Sequence, residues 1–387
     1  MKKFNKLFFS MLVLLAISQY ASASTPVQNV QDSISTDQHW TCDKQYLLFG
    51  YVYVTNGATL TIDPGVIVKG DKNSKGSLIV ERGAKLIAVG TASQPIVFTS
   101  NQPAGNRSYG DWGGVILCGK APVNWNGNQA QVEGGPRSLY GGTDPHDNSG
   151  QLKYVRIEFP GIAFSANNEI NGLTFCGVGD ATQIDHIQVS YSGDDSYEWF
   201  GGTVNTKYLV AFRTWDDDFD TDNGYSGMNQ FGMSLRDPYA ADQSGSKAWE
   251  SDSYQTGTAS GLTDTSMLTK PVFANFTAVG PLVSPTSTAY DPQFVSAVQI
   301  RRGSALSLLN TLLVGYPAGV LIDESQAGTY GSTIANLVSG ASQIKGVAVA
   351  GIPTTNAPST KEVFFVYNGA RSLTPTTAWG DAGSGAP

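Results

Sequence analysis

The sequence predicts an all-β chain wound as one single-stranded, right-handed parallel β-helix, a solenoid of stacked rungs. Three observations predict it. Short apolar runs rich in Val, Ile and Leu recur along the chain, each closed by Gly, Asn, Asp or Pro, as short strands between turns require. Only 14% of the residues are charged while 44 are glycine, a balance that argues against a helical bundle. An acidic and aromatic stretch also repeats at a constant offset, matching Asp194 with Asp216, Asp195 with Asp217, Tyr197 with Phe219, Glu198 with Asp220 and Gly202 with Gly224. Such an offset is a plausible solenoid rung.

The chain opens with Lys2, Lys3 and Lys6, then an apolar run from Leu7 to Ile17 broken only by Ser10, then Ala21-Ser22-Ala23. This is the order of a signal peptide and its cleavage site. The run is too short to span a bilayer as a helix. Residues 1–23 are therefore expected to be removed, leaving a secreted, periplasmic or cell-surface protein that begins close to Ser24.

Residues 24–41 read as a lead-in or cap and residues 42–370 as the coil. Its runs include YVYVTNGATLTIDPGVIVKG, GSLIVERGAKLIAVG and QPIVFTS, then GGVILCG, KYVRIEF, GLTFCGVG, IDHIQVSYS and KYLVAFRT. A β-sandwich is the competing arrangement, and Asn56-Gly57 could serve as one of its hairpin turns. The length without a linker and the internal offset favour the solenoid. Two Gly-, Asn- and Asp-rich segments, 124–150 and 236–270, break the pattern and read as long projecting loops. Residues 371–387 form a C-terminal tail.

Net charge is −8, and loss of the three leading lysines makes it more negative still. Nucleic-acid binding needs a basic footprint, so that class is excluded. An acidic exterior suits a cation or a neutral glycan instead. Cys42, Cys118 and Cys176 cannot all pair, which allows one disulfide and one thiol. The runs VILCG and LTFCG place Cys118 and Cys176 alike, which predicts burial in the coil interior. No zinc-ligand spacing is present.

The strings ATLTIDPGVIVKG, LIVERGAKLIAVGTASQPIVFTS, DWGGVILCGKAPV, GDDSYEWFGGTVNTKYLV, DDDFDTDNGY and FVSAVQIRRG resemble a family of secreted bacterial proteins with pectin-lyase-like β-helix folds. The resemblance covers about residues 45–325. It implies the fold and a surface or extracellular setting, and implies no particular activity.

The sharpest chemical feature is acidic: Asp194, Asp195 and Glu198, then Asp216, Asp217, Asp218, Asp220 and Asp222. Stacked one strand spacing apart, roughly 4.8 Å, like charges repel by about 3 kcal/mol at an effective dielectric near 20. A bridging cation offsets that repulsion, and calcium is the hard, oxygen-seeking candidate. The spacing from Asp218 resembles the start of an EF-hand loop, but Asn229 stands where its closing Glu belongs. Tyr197, Trp199 and Trp215 are candidates for stacking on an extracellular glycan. For catalysis, Arg213, Arg236, Asp194 and Asp195 are candidates by comparison with polysaccharide lyases and hydrolases. The string IDH faintly resembles a lyase strand motif and GDD part of a polygalacturonase site, yet R-x-P-x-x-R, G-H-G and R-I-K are all missing. The readings that emerge are a non-catalytic, calcium-stabilised surface protein, an enzyme acting in an acidic and aromatic groove, or a structural adhesin.

Overall fold

The computed structural model describes residues 25–165, 168–254, 267–353 and 364–367. The expected signal peptide and C-terminal tail lie outside these residues. Strand follows strand around the coil, and each pairs in parallel with its counterpart one rung on. One sheet stacks Ser77–Val80, Val115–Cys118, Leu173–Val178, Tyr197–Gly202, Phe219–Asp222, Trp249–Ser251, Val298–Ile300 and Val320–Asp323. A second stacks Gln38–Trp40, Thr59–Ile62, Lys85–Val89 and the first half of Gly150–Glu158. A third joins Ile67–Gly70 and Ile96–Ser100 to the second half of that strand.

From Gly150–Glu158 onward the second and third sheets share long strands, Gln183–Ser190, Asn205–Phe212, Met228–Leu235 and Val272–Val279. The chain must bend within each. One residue per strand does this in the left-handed region: Tyr154, His186, Tyr208, Phe231 and Asn275, with φ between 50° and 63°. Bulky residues seldom adopt that conformation, so repetition on successive rungs marks a built-in corner. Their side chains stack along the outside, with ring centroids 4.4 Å apart for Tyr154–His186 and His186–Tyr208, and 5.1 Å for Tyr208–Phe231.

Strand alternation sends every second side chain into the coil. The interior is mostly aliphatic in the early rungs, with Leu48, Val52, Leu60, Val68 and Leu78 beside a buried Trp40–Tyr46 stack, and more aromatic later. Phe175 stacks on Trp199 at 5.3 Å, Tyr197 on Phe219 at 5.6 Å, and Phe219 on Trp249 at 5.2 Å. A smaller cluster lies on the outer face of the first sheet. There Ile79, Ile116, Cys118, Cys176 and Phe200 are covered by Val123, Val132, Tyr140, Ile162 and Ile170.

Three expectations need correction. Cys118 and Cys176 are fully buried, but beneath two covering insertions, before and after Gly150–Glu158, rather than inside the coil. The coil starts before residue 42, because Val27–Ile34 already pairs in parallel with Gln45–Val54. The segment 236–270 is not one loop, since Trp249–Ser251 forms a rung strand within it. That strand is three residues long with a glutamate at its centre, so no apolar run betrays it. The 124–150 segment carries a short hairpin, Ala130–Gln131 against Leu139–Tyr140. Helix among the described residues is confined to Ala327–Tyr330 and Thr333–Ser339, and none is long and apolar enough to cross a membrane.

A candidate metal centre and its adjoining cleft

The step from Asp194 to Asp216 is one rung. Tyr197 pairs with Phe219 and Glu198 with Asp220, and the next rung places Glu250 beside Asp220. Because Tyr197, Phe219 and Trp249 point inward, Glu198, Asp220 and Glu250 form a column on the outer face. The turns leading into these strands bring up Asp194 and Asp195, then Asp216 and Asp217. The Asp217 amide donates to Asp195 Oδ1 at 2.7 Å, tying the two turns together.

These side chains close into three interlocking triads: Asp194, Asp195 and Asp216; Asp195, Glu198 and Asp220; Asp217, Asp220 and Glu250. Within each triad one oxygen per residue lies within 4.8 Å of the others. Oxygens that share a calcium ion at about 2.4 Å can be no farther apart than twice that distance. The triads meet the requirement.

The two ends of the cluster differ electrostatically. Lys247 Nζ reaches Asp217 at 3.6 Å and contacts Glu250, while Arg301 contacts Glu250 and binds Asp252 at 2.8 Å. Burial pushes the Glu250 carboxyl up, yet Arg301 and Lys247 overcome it and hold the group at about 2. At the other end the described residues show no ion pair to Asp194, Asp195, Glu198 or Asp220. Burial, then the like charges of Asp216 and Asp220, push Asp195 well above the usual carboxylate range. Burial and Glu133 do the same to Glu198, burial and Asp216 to Asp194, and burial and Glu250 to Asp220. Asp216, also desolvated but eased by Lys247, is pushed up to about 6.

Two orphaned oxygens lie in this uncompensated half. Asp220 Oδ1 is shielded from solvent and accepts no hydrogen bond. Asn171 is buried, its amide donating to Glu198, and its Oδ1 likewise lacks a donor. Buried acceptors without donors are uncommon. Carboxylate and amide oxygens together form a hard-donor set suited to calcium.

Not every expected residue belongs here. Asp218 turns away and pairs with Arg236 at 2.9 Å, both side chains wholly buried. The two form a buried ion pair, and Asp218 takes no part in the triads. Asp222 lies on the outer face near Asp252 but outside the triads. Arg213 pairs with Asp237 at 3.5 Å and makes no ion pair with the cluster among the described residues. Tyr197 and Trp199 are out of a glycan's reach, because both have no exposed surface and stack in the coil core. Trp215 alone of the three is exposed, at 38%. It meets Tyr109 edge-on at 5.5 Å and lines a cleft of about 430 Å3 with Lys72, Lys75, Gly110, Gly161 and Gly193. Gly193 and Trp215 directly precede Asp194 and Asp216, so the cleft adjoins the first triad.

Glu250, Lys247, Arg301, Asp252 and Asn171 were missed in the sequence. The offset that relates Asp194 to Asp216 cannot find Glu250, because the insertion ahead of Trp249 lengthens that rung. The alternation in Trp-Glu-Ser-Asp, parallel to Phe-Asp-Thr-Asp, was the available signal.

A stacked parallel coil carrying an acidic centre on one outer face defines the class: a solenoid β-helix with a candidate cation site. The model of the pectate-lyase-like beta helix domain matches residues 32–386, and the chain belongs to that family. No curated protein and no solved structure matches the chain.

Proposed function

We propose that this chain is an exported, calcium-stabilised β-helix that binds glycan without cleaving it. The observation that carries the reading is the pair of interlocking triads at Asp194, Asp195, Glu198, Asp216 and Asp220. These carboxylates are buried or half-buried, and four of them have no basic partner among the described residues. Calcium held there would bridge successive rungs, so the metal stabilises the coil and orders the cleft beside it. Trp215 and Tyr109 supply aromatic surface to a sugar ring, and Lys72, paired with the buried Asp111 at 2.9 Å, lines the same cleft. The non-catalytic reading is supported by the arginines. Arg236 is buried in an ion pair with Asp218 and Arg213 pairs with Asp237, so both candidate bases are already engaged by a carboxylate.

The test is a panel of soluble polysaccharides, scored for retardation of the protein in affinity electrophoresis and for release of unsaturated or reducing ends. Retardation by at least one polysaccharide in calcium, weakened by chelator and by Trp215→Ala, with no new chain ends, is the expected result. Calcium-dependent release of chain ends would overturn the non-catalytic reading in favour of a lyase or hydrolase.

A further inference from the structure

Cys118 and Cys176 occupy equivalent places on neighbouring rungs. They are direct register partners in the parallel pairing of Val115–Cys118 with Leu173–Val178. Both side chains emerge on the same outer face and join the same covered cluster, and neither has any exposed surface. Neighbouring strands hold paired Cα atoms about 4.8 Å apart, inside the roughly 4.4–6.8 Å that a disulfide spans.

We propose that Cys118 and Cys176 form a disulfide that welds two neighbouring rungs at the base of two insertions, one before and one after the rung strand Gly150–Glu158. The first covers the outer cluster through Val123, Val132 and Tyr140, the second through Ile162 and Ile170. They also carry Glu133 and Glu169, whose charges act on Glu198 and Asp194. The bond therefore anchors segments that bear on the acidic centre.

The chemistry is thiol–disulfide exchange with a small-molecule or protein disulfide as oxidant. One thiolate attacks that disulfide and releases its first thiol; the second cysteine then displaces the other. Two cysteine thiols become one S–S bond, and one disulfide becomes two thiols. Burial and the neighbouring Cys118 push the Cys176 thiol well above its ordinary range, so exchange is slow once the cluster has closed. The bond must form while the chain folds. Parallel side chains also start with Cβ atoms nearly as far apart as the strands, against roughly 3.5–4.5 Å in a relaxed disulfide. The strands must draw together slightly for the bond to close.

Cys42 is exposed and serves as an internal control. The reduced, unfolded protein is refolded in a mixture of oxidised and reduced glutathione. It is alkylated in the folded state to block Cys42, then unfolded without reductant and alkylated with a second reagent. The proposal predicts no second label, an intact mass two hydrogens lighter apart from the first label, and a proteolytic fragment joining residues 118 and 176. Two second labels on protein that has regained its β-sheet spectrum would overturn it. So would a glutathione adduct retained on one cysteine of the pair, since the partner thiol would then have failed to displace it.

Discussion

Glu198 and Asp220 are direct partners on successive rungs of one parallel sheet, with their carboxylates turned to the same outer face. Among the described residues no basic side chain pairs with either. Two like charges one strand apart, at about 3 kcal/mol of repulsion each time the pair is fully ionised, make the folded state depend on protons or on a cation.

That dependence has a sign. A carboxyl group whose pKa is raised in the fold holds its proton where the unfolded chain has already lost it. Its stabilising effect is complete below the unfolded value and disappears as pH rises through the folded value. For Asp216 the window runs from the ordinary value of 3.8 to about 6, and Asp194, Asp195, Glu198 and Asp220 extend it upward. Metal-stripped protein should therefore melt at a lower temperature at pH 7.5 than at pH 5. Calcium should raise the melting temperature more at pH 7.5, because fewer protons must leave. Thermal scans at the two pH values, with and without calcium, check both statements.

Lys247 acts as a built-in cation for the third triad. Lys247→Met should destabilise the metal-free protein by about 3 kcal/mol, since it leaves Asp217 and Glu250 buried with less compensation. Millimolar calcium should restore part of the loss. Urea denaturation midpoints with calcium and with chelator measure it.

The two tryptophans separate core from cleft. Trp199→Ala opens a void among Phe175, Tyr197 and Tyr225 and should cost about 3–5 kcal/mol of stability. Trp215→Ala should change stability by less than about 1 kcal/mol while weakening glycan binding severalfold. Denaturation and affinity electrophoresis on the same preparations distinguish the two effects.

The fully buried pair Asp218–Arg236 gives a further contrast. Asp218→Asn should destabilise the protein by about 3–5 kcal/mol, because it strands a buried guanidinium. The effect should be the same with and without calcium, since Asp218 lies outside the triads. Paired denaturation curves test for that independence.

The coil was legible because its strands alternate and its turns carry Gly, Asn and Asp, and because the rung containing Glu198 repeats without insertion at Asp220. The carboxylates were legible for the same reason. The inward and outward faces were not. In GDDSYEWFGG every residue from Asp195 onward is buried, since the sheet is covered on both sides, so hydropathy does not separate Trp199 from Phe200. Glu250 and its basic neighbours were hidden by the lengthened rung before Trp249. The corner residues Tyr154 and Tyr208 carry no turn signal, because tyrosine seldom adopts the left-handed region, and only their repetition on successive rungs marks the bend.

The most direct measurement is the melting temperature of metal-stripped protein titrated with calcium, for the native chain and for Asp195→Asn. Asp195 belongs to two triads at once, so its loss should remove most of the response while the β-sheet spectrum stays the same. A ligand that binds only the folded state stabilises it by about 2.7 kcal/mol at a hundredfold excess over its Kd. The native chain should show a rise of several degrees that reverses on adding chelator, and Asp195→Asn should show little. A native melting curve unchanged from chelator to millimolar calcium would contradict a calcium site and leave the cluster held together by protons alone.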